Sequence, residues 1–266
     1  MSDAFLATAV AVAREAGGLL RERFGRPHDV RFKGTVDLVT EADRGAEELI
    51  ADRLRAAFPD HRLLGEEGAR GARDTDGDAA SPYGWIVDPL DGTTNFAHGL
   101  PHFAVSIALE HAGLLSVGVV YDPIRDELFA AERGKGATRN GEALRVSVAD
   151  ELVRSLLATG FSYDLAERSD QADAWRALLT RVQSIRQTGS AALNLCYVAA
   201  GRLDGYWERP LQPWDVAAGA LIVAEAGGLV TDLAGDPFRP YGREVLATNG
   251  RLHPTLLAVL AGHDQA

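Results

Sequence analysis

With 266 residues, 46% hydrophobic and 24% charged, the chain is long enough for one large domain or two closely packed halves, and its composition is ordinary for a globular protein. A formal net charge of −11 excludes a general nucleic-acid binder, which needs a basic surface. It also sits badly with an anionic substrate unless bound cations reverse the local field. The single cysteine, Cys196, excludes an internal disulfide and a multi-cysteine metal site.

At the N-terminus Phe5, Ala9, Val12, Ala13, Ala16, Leu19 and Leu20 recur with helical spacing. No basic residue precedes this apolar run, and Arg14 and Glu15 interrupt it. It therefore reads as an amphipathic helix rather than a secretion signal or membrane span, and the expected location is the cytoplasm. VRFKGTVDLVT reads as two short strands joined at Gly34, followed by a helix carrying Ala46, Leu49, Ile50, Leu54 and Ala57. HRLLGEE is a strand ending in Glu66 and Glu67, and residues 68–84 form a polar loop.

WIVDPLDGTTNF (85–96) begins as a core strand, Trp85-Ile86-Val87, and runs into Asp88 and Asp91 before turning through Gly92, Thr93 and Thr94. Three further stretches, HFAVSIALEHAG, LLSVGVVYDP and DELFAAERGKGATRNGEALRV, read as an antiparallel meander with turns at Asp122-Pro123 and Asn140-Gly141. From about residue 155 strands alternate with helices. The helices are expected near 169–182, from GSAALNL, at 213–226 and near 253–262; SLLATGF, SIRQ, LDGYWE, GLVTD and EVLATN are the strands. Pro213 suits the first turn of its helix, and Gly227-Gly228 end it. The pattern predicts an α+β half, residues 1–150, closely packed on an α/β half, residues 151–266, with the site between them.

A buried carboxylate is costly unless it is paired or coordinates a metal. Glu66, Asp88 and Asp91 end strands, Asp215 lies in the first turn of a helix, and Asp37 makes a fifth. Several carboxylates together suit a hard cation, Mg2+ above all when phosphate completes the shell. The turn at Gly92-Thr93-Thr94 would offer backbone N–H groups to that phosphate. Other signals are weaker. DTDGD (74–78) has Ala79 and Trp85 where a calcium loop needs Gly and Glu. His98 and His102 are separated by Gly99 and Pro101, which disfavour a chelating helix. GKG (134–136) lacks the spacing of a phosphate-binding loop, and no Gly-x-Ser-x-Gly occurs. Lys33 reads as a solvated hairpin residue, and Trp207 and Trp214 read as packing residues.

DLVTEAD (37–43), GEE (65–67), WIVDPLDGTTNF, GSAALN (189–194) and PWDVAAGALIVAEAGG (213–228) together resemble the signatures of the inositol monophosphatase family, and the resemblance spans nearly the whole chain. It implies a layered α/β/α/β/α sandwich of the inositol monophosphatase and fructose-1,6-bisphosphatase type, in a lithium-sensitive, Mg2+-dependent phosphatase that forms a homodimer. Two or three Mg2+ ions per subunit are implied. Glu66, Asp88 and the carbonyl of Leu90 hold one, and Asp88, Asp91 and Asp215 a second; Glu66 helps with a third, weaker ion. Glu67 is expected to support its neighbour rather than bind.

The same resemblance makes Asp37, Thr93 and Glu66 the catalytic group, with Thr93 bonded to Asp37 and orienting a metal-activated water. Substrate contacts fall to Asp91, Gly92, Thr93, Thr94, Ala191, Glu208 and Asp215. The implied substrate is a small phosphorylated polyol or amino alcohol, inositol monophosphate first. Histidinol phosphate, fructose 1,6-bisphosphate and 3′-phosphoadenosine 5′-phosphate are substrates of relatives. Neither nucleic acid nor membrane is an expected partner. Some bacterial relatives also bind transcription machinery, which makes regulatory binding the expectation from a different class.

Overall fold

A computed structural model describes residues 2–26, 30–32, 38–68, 81–165 and 167–262. The first helix, α1 (Ser2–Arg23), is followed by an antiparallel pair, β1 (Val30–Phe32) and β2 (Leu38–Thr40), and by α2 (Glu41–Ala57). Next come β3 (Arg62–Gly65), β4 (Tyr83–Asp91), the short helix α3 (Thr93–Ala97), β5 (Ala104–His111), β6 (Leu114–Asp122), β7 (Glu127–Glu132), β8 (Ala137–Arg139) and β9 (Glu142–Ala143). These seven strands form one sheet in chain order, with β3 parallel to β4 and every later pair antiparallel. Asn140 (φ 51°) and Gly141 (φ 86°) close β8 on β9 with the two left-handed residues a tight hairpin needs.

The remaining chain runs β10 (Leu156–Thr159), α4 (Arg168–Leu179), β11 (Ser184–Gln187), α5 (Ala191–Ala199), β12 (Gly205–Glu208), α6 (Pro213–Glu225), β13 (Leu229–Thr231), β14 (Val245–Thr248) and α7 (His253–Leu260). Its strands form a five-stranded sheet in the order β11-β10-β12-β14-β13. β10 is parallel to both neighbours, and the other pairs are antiparallel.

The period-two alternation of strand side chains sorts the core into three slabs. On β5, Val105, Ile107 and Leu109 pack toward α1 and α2, whereas Ala104 and Ala108 join α5 and α6. On the second sheet Ala158, Tyr206 and Ala247 face that same middle slab, and Leu157, Trp207 and Leu246 pack toward α7. Helices thus cover both faces of both sheets, giving the layered α/β/α/β/α sandwich that the resemblance implied. No helix among the described residues is long and apolar enough to cross a membrane.

Candidate metal and phosphate site

β4 breaks its ladder where the carboxylates begin. Its pairing with β5 shifts register between Asp88 and Asp91, and Pro89, with no N–H to give a partner strand, lies in that irregularity. Asp88 is 2% exposed, and its Oδ1 accepts the Leu90 amide at 2.9 Å. Burial, then the charges of Glu66, Asp91 and Asp215, push its carboxyl well above the usual range. Asp91 is buried against the start of α5. It accepts the Ser190 hydroxyl and the amides of Ala192 (2.9 Å) and Ala191 (3.1 Å). Burial lifts it to about 6 in spite of those bonds. Asp215, in the first turn of α6, accepts the Gln212 amide at 2.7 Å and is raised well above the usual range, first by burial, with Asp91, Glu66 and Glu208 adding to it.

The turn after Asp91 depends on Gly92. Its φ is 96°, and a Cβ there would lie 3.1 Å from the His102 carbonyl oxygen and 3.2 Å from that of Gly189. Thr93 opens α3, and its hydroxyl donates to Asp43 Oδ1 at 2.8 Å and lies 3.0 Å from the Leu90 carbonyl. The expected partner of Thr93, Asp37, lies outside the described residues; among the described residues the carboxylate that meets Thr93 is Asp43. The reason is local. Thr40 caps α2 in a reciprocal box, with Asp43 Oδ2 accepting the Thr40 amide (2.8 Å) and hydroxyl (2.5 Å), which leaves Oδ1 for Thr93. Burial outweighs these bonds and raises the Asp43 carboxyl. Lys33 and the loop at 74–78 also fall outside the described residues.

A cavity of about 1210 Å³ opens over this cluster. Glu66, Asp91 and Asp215 line it, as do Gly92, Thr94, Ala191 and Glu208. Asp88, Leu90 and Thr93 are buried and absent from its lining. Glu208 ends β12 and accepts the Tyr206 hydroxyl at 2.6 Å; burial pushes it up to about 7, with the Tyr206 bond opposing and Asp91 adding. Glu67 donates its amide to Glu47 at 2.7 Å. Trp214 lines the cavity, while Trp207 packs in the outer core. The sequence reading passed over Asp43, Ser190, Tyr206 and Gly160. The first two lie inside quoted motifs, and their signals are the capping positions of α2 and α5.

Among the described residues no three acidic, imidazole or thiol side chains converge closely enough for an all-protein metal cage. The donors fit Mg2+ in another way, because that ion keeps part of its shell in water and phosphate oxygens and needs no all-protein cage. Buried carboxylates that raise one another so strongly form an arrangement that a cation relieves.

This fold over this cluster defines a phosphatase. The chain belongs to the inositol monophosphatase family, whose model matches residues 1–265. It is 46% identical over 261 residues to inositol monophosphatase 2 of Solanum lycopersicum, covering 97% of this chain and 98% of that one. It is 45% identical over 260 residues to the Nus factor SuhB of Pseudomonas aeruginosa, covering 96% and 95%. Among solved structures, the extragenic suppressor protein suhB of Bartonella henselae matches with a TM-score of 0.91 at 43% identity, covering 97% and 98%. The family is in general Mg2+-dependent and acts on small phosphorylated substrates.

Proposed function

We propose that the protein hydrolyses a small phosphate monoester in the presence of Mg2+, and that inositol monophosphate is the substrate. The observation that carries this reading is the Thr93–Asp43 pair beside the carboxylate cluster, beneath a cavity that Glu208 also lines. In the ligand set the resemblance implies, Glu66, Asp88 and the Leu90 carbonyl would hold one ion, and Asp88, Asp91 and Asp215 would contribute to a second, with water and phosphate oxygens completing the shells and Glu66 helping with a third. Such a site would supply an acidified water and neutralise charge on the phosphoryl and leaving oxygens.

The chain's own groups do the rest. Thr93 Oγ1 points its proton at Asp43 Oδ1 and so keeps a lone pair for the attacking water, whose proton passes to Thr93 as Thr93 releases its own to Asp43. Asp43, raised by burial, is a stronger base than an exposed aspartate. Amides of the Gly92–Thr94 turn hold phosphate oxygens, and Glu208 accepts hydroxyls of the polyol, with Ala191 leaving space on the same cavity wall. Cys196 is buried, so no accessible thiol takes the phosphoryl group.

Phosphate release from inositol 1-phosphate, histidinol phosphate and fructose 1,6-bisphosphate, with and without Mg2+, tests the reading. A Mg2+-dependent preference for the first supports it, preference for another reassigns the substrate, and no release from any of them overturns it. A second reading draws on the relatives named Nus factor SuhB, which match this chain as well as those named inositol monophosphatase, at 45% against 46% identity. On that reading the protein acts by binding transcription machinery. A stoichiometric RNA polymerase partner, with an Asp88→Asn variant still functional in cells, would favour it.

A further inference from the structure

Tyr206 and Glu208 stand two apart on β12 and so share one face of the strand, the face turned toward the middle slab of the core. Tyr206 is 0% exposed, and its hydroxyl lies 2.6 Å from Glu208 Oε2. β10 runs parallel alongside, with Thr159 paired to Trp207, so the next residue, Gly160, comes level with Glu208. Thr159 Oγ1 donates to the Trp207 carbonyl at 2.7 Å and fixes the two strands at that level.

Gly160 leaves no margin. A Cβ there would lie 2.1 Å from Glu208 Oε2 and 2.2 Å from both Cδ and Oε1. The carboxylate thus rests against a bare Cα and is tethered by a buried phenol. A phenol in that position needs a partner, and among the described residues it finds Glu208. A carboxylate offers about four acceptor positions, of which Tyr206 takes one, and Glu208 lines the substrate cavity with the remainder.

We propose that Tyr206 and Gly160 are positioning residues that fix the Glu208 carboxylate in the one orientation it presents to the hydroxyls of a polyol phosphate. This rests on the substrate contact assigned to Glu208 above. Binding through a pre-oriented group avoids the entropy of immobilising a flexible glutamate each time substrate arrives. Tyr206 acts through Glu208 and touches no reacting atom.

The test compares Tyr206→Phe, Gly160→Ala and Glu208→Gln on two esters, inositol 1-phosphate and phenyl phosphate, which lacks hydroxyls, all at saturating Mg2+. Tyr206→Phe raises KM for inositol 1-phosphate about three- to tenfold, the factor one such hydrogen bond is worth, with kcat within about twofold. Its constants for phenyl phosphate stay where they were. Gly160→Ala gives the same split, and larger, because it displaces the whole carboxylate. Equal losses on both esters with a lowered Tm would make the hydroxyl purely structural and overturn the proposal. If Glu208→Gln shows the split and Tyr206→Phe does not, positioning fails alone; if Glu208→Gln shows none, the substrate contact of Glu208 fails and positioning with it. A readout free of turnover is the carbon-13 titration of the Glu208 carboxyl. Its midpoint moves up in Tyr206→Phe, because the lost bond favours the charged form, and an unmoved midpoint overturns the proposal.

Discussion

The hydroxyl of Thr93 meets the carboxylate of Asp43 at 2.8 Å across 50 residues of sequence, joining the first residue of α3 to the first turn of α2. Asn at position 43 keeps the shape but not the basicity. Asp43→Asn is therefore expected to lower kcat by roughly 10²–10³-fold with little change in KM or Tm. Thr93→Ala should cost about as much, and the double variant little more, because the two act as one unit. Steady-state kinetics at saturating Mg2+ decide it; fully additive losses would show two independent roles.

Among the described residues no hydroxyl meets Asp88, which carries instead the charges of Glu66, Asp91 and Asp215 around it. Removing its charge relieves repulsion in the metal-free protein and weakens the ion site at the same stroke. Asp88→Asn should raise the Tm of metal-free protein and abolish the further rise that Mg2+ produces, both read by thermal denaturation over a Mg2+ titration. Full Mg2+-dependent activity in this variant would remove Asp88 from the ligand set.

Acid should stabilise the metal-free protein. Folding raises Glu208 from 4.5 to about 7 and Asp91 from 3.8 to about 6. A carboxyl raised in this way gives its full contribution below the unfolded value and loses it as pH climbs through the folded one. The Tm of metal-free protein should therefore fall by several degrees between about pH 4 and about pH 7, and saturating Mg2+ should flatten the fall. A metal-free Tm that climbs over this window would contradict the burial of both groups.

Gly92→Ala tests the turn itself. The left-handed φ of 96° and the nearby carbonyls of His102 and Gly189 leave no relaxed place for a methyl group. The expected loss is about 1–3 kcal/mol in urea unfolding with an unchanged m-value, accompanied by reduced activity as α3 shifts.

Helix α6 is legible in the sequence because Pro213 opens it and a glycine pair follows it, and the hairpin of β8 and β9 because Asn140-Gly141 favours the left-handed turn. The order β11-β10-β12-β14-β13 is not legible, since it is set by pairings between distant segments, Thr159 with Trp207 or Tyr206 with Ala247, that no local residue announces. The site divides in the same way. Compact motifs carry Glu66, Asp91 and Asp215, which line one cavity. Within DLVTEAD, however, composition does not say which aspartate turns toward Thr93. The start of α2 decides that, and Thr40 as its cap is the only local sign. Gly160 and Tyr206 gain their relation to Glu208 only when two parallel strands settle into register.

Asp91 belongs to a strand of the first sheet, yet Ser190 and the amides of Ala191 and Ala192, about a hundred positions later, hold its carboxylate. In the proposed ligand set the same carboxylate faces the cation. Its aim is therefore not a property of β4 alone; it comes into being when α5 docks. A nascent chain that has completed only its first sheet carries Glu66, Asp88 and Leu90, but it lacks both Asp215 and the α5 groups that aim Asp91. On the proposed ligand set, the second ion would then be a sign of conformational maturity, held only by molecules whose two halves have docked.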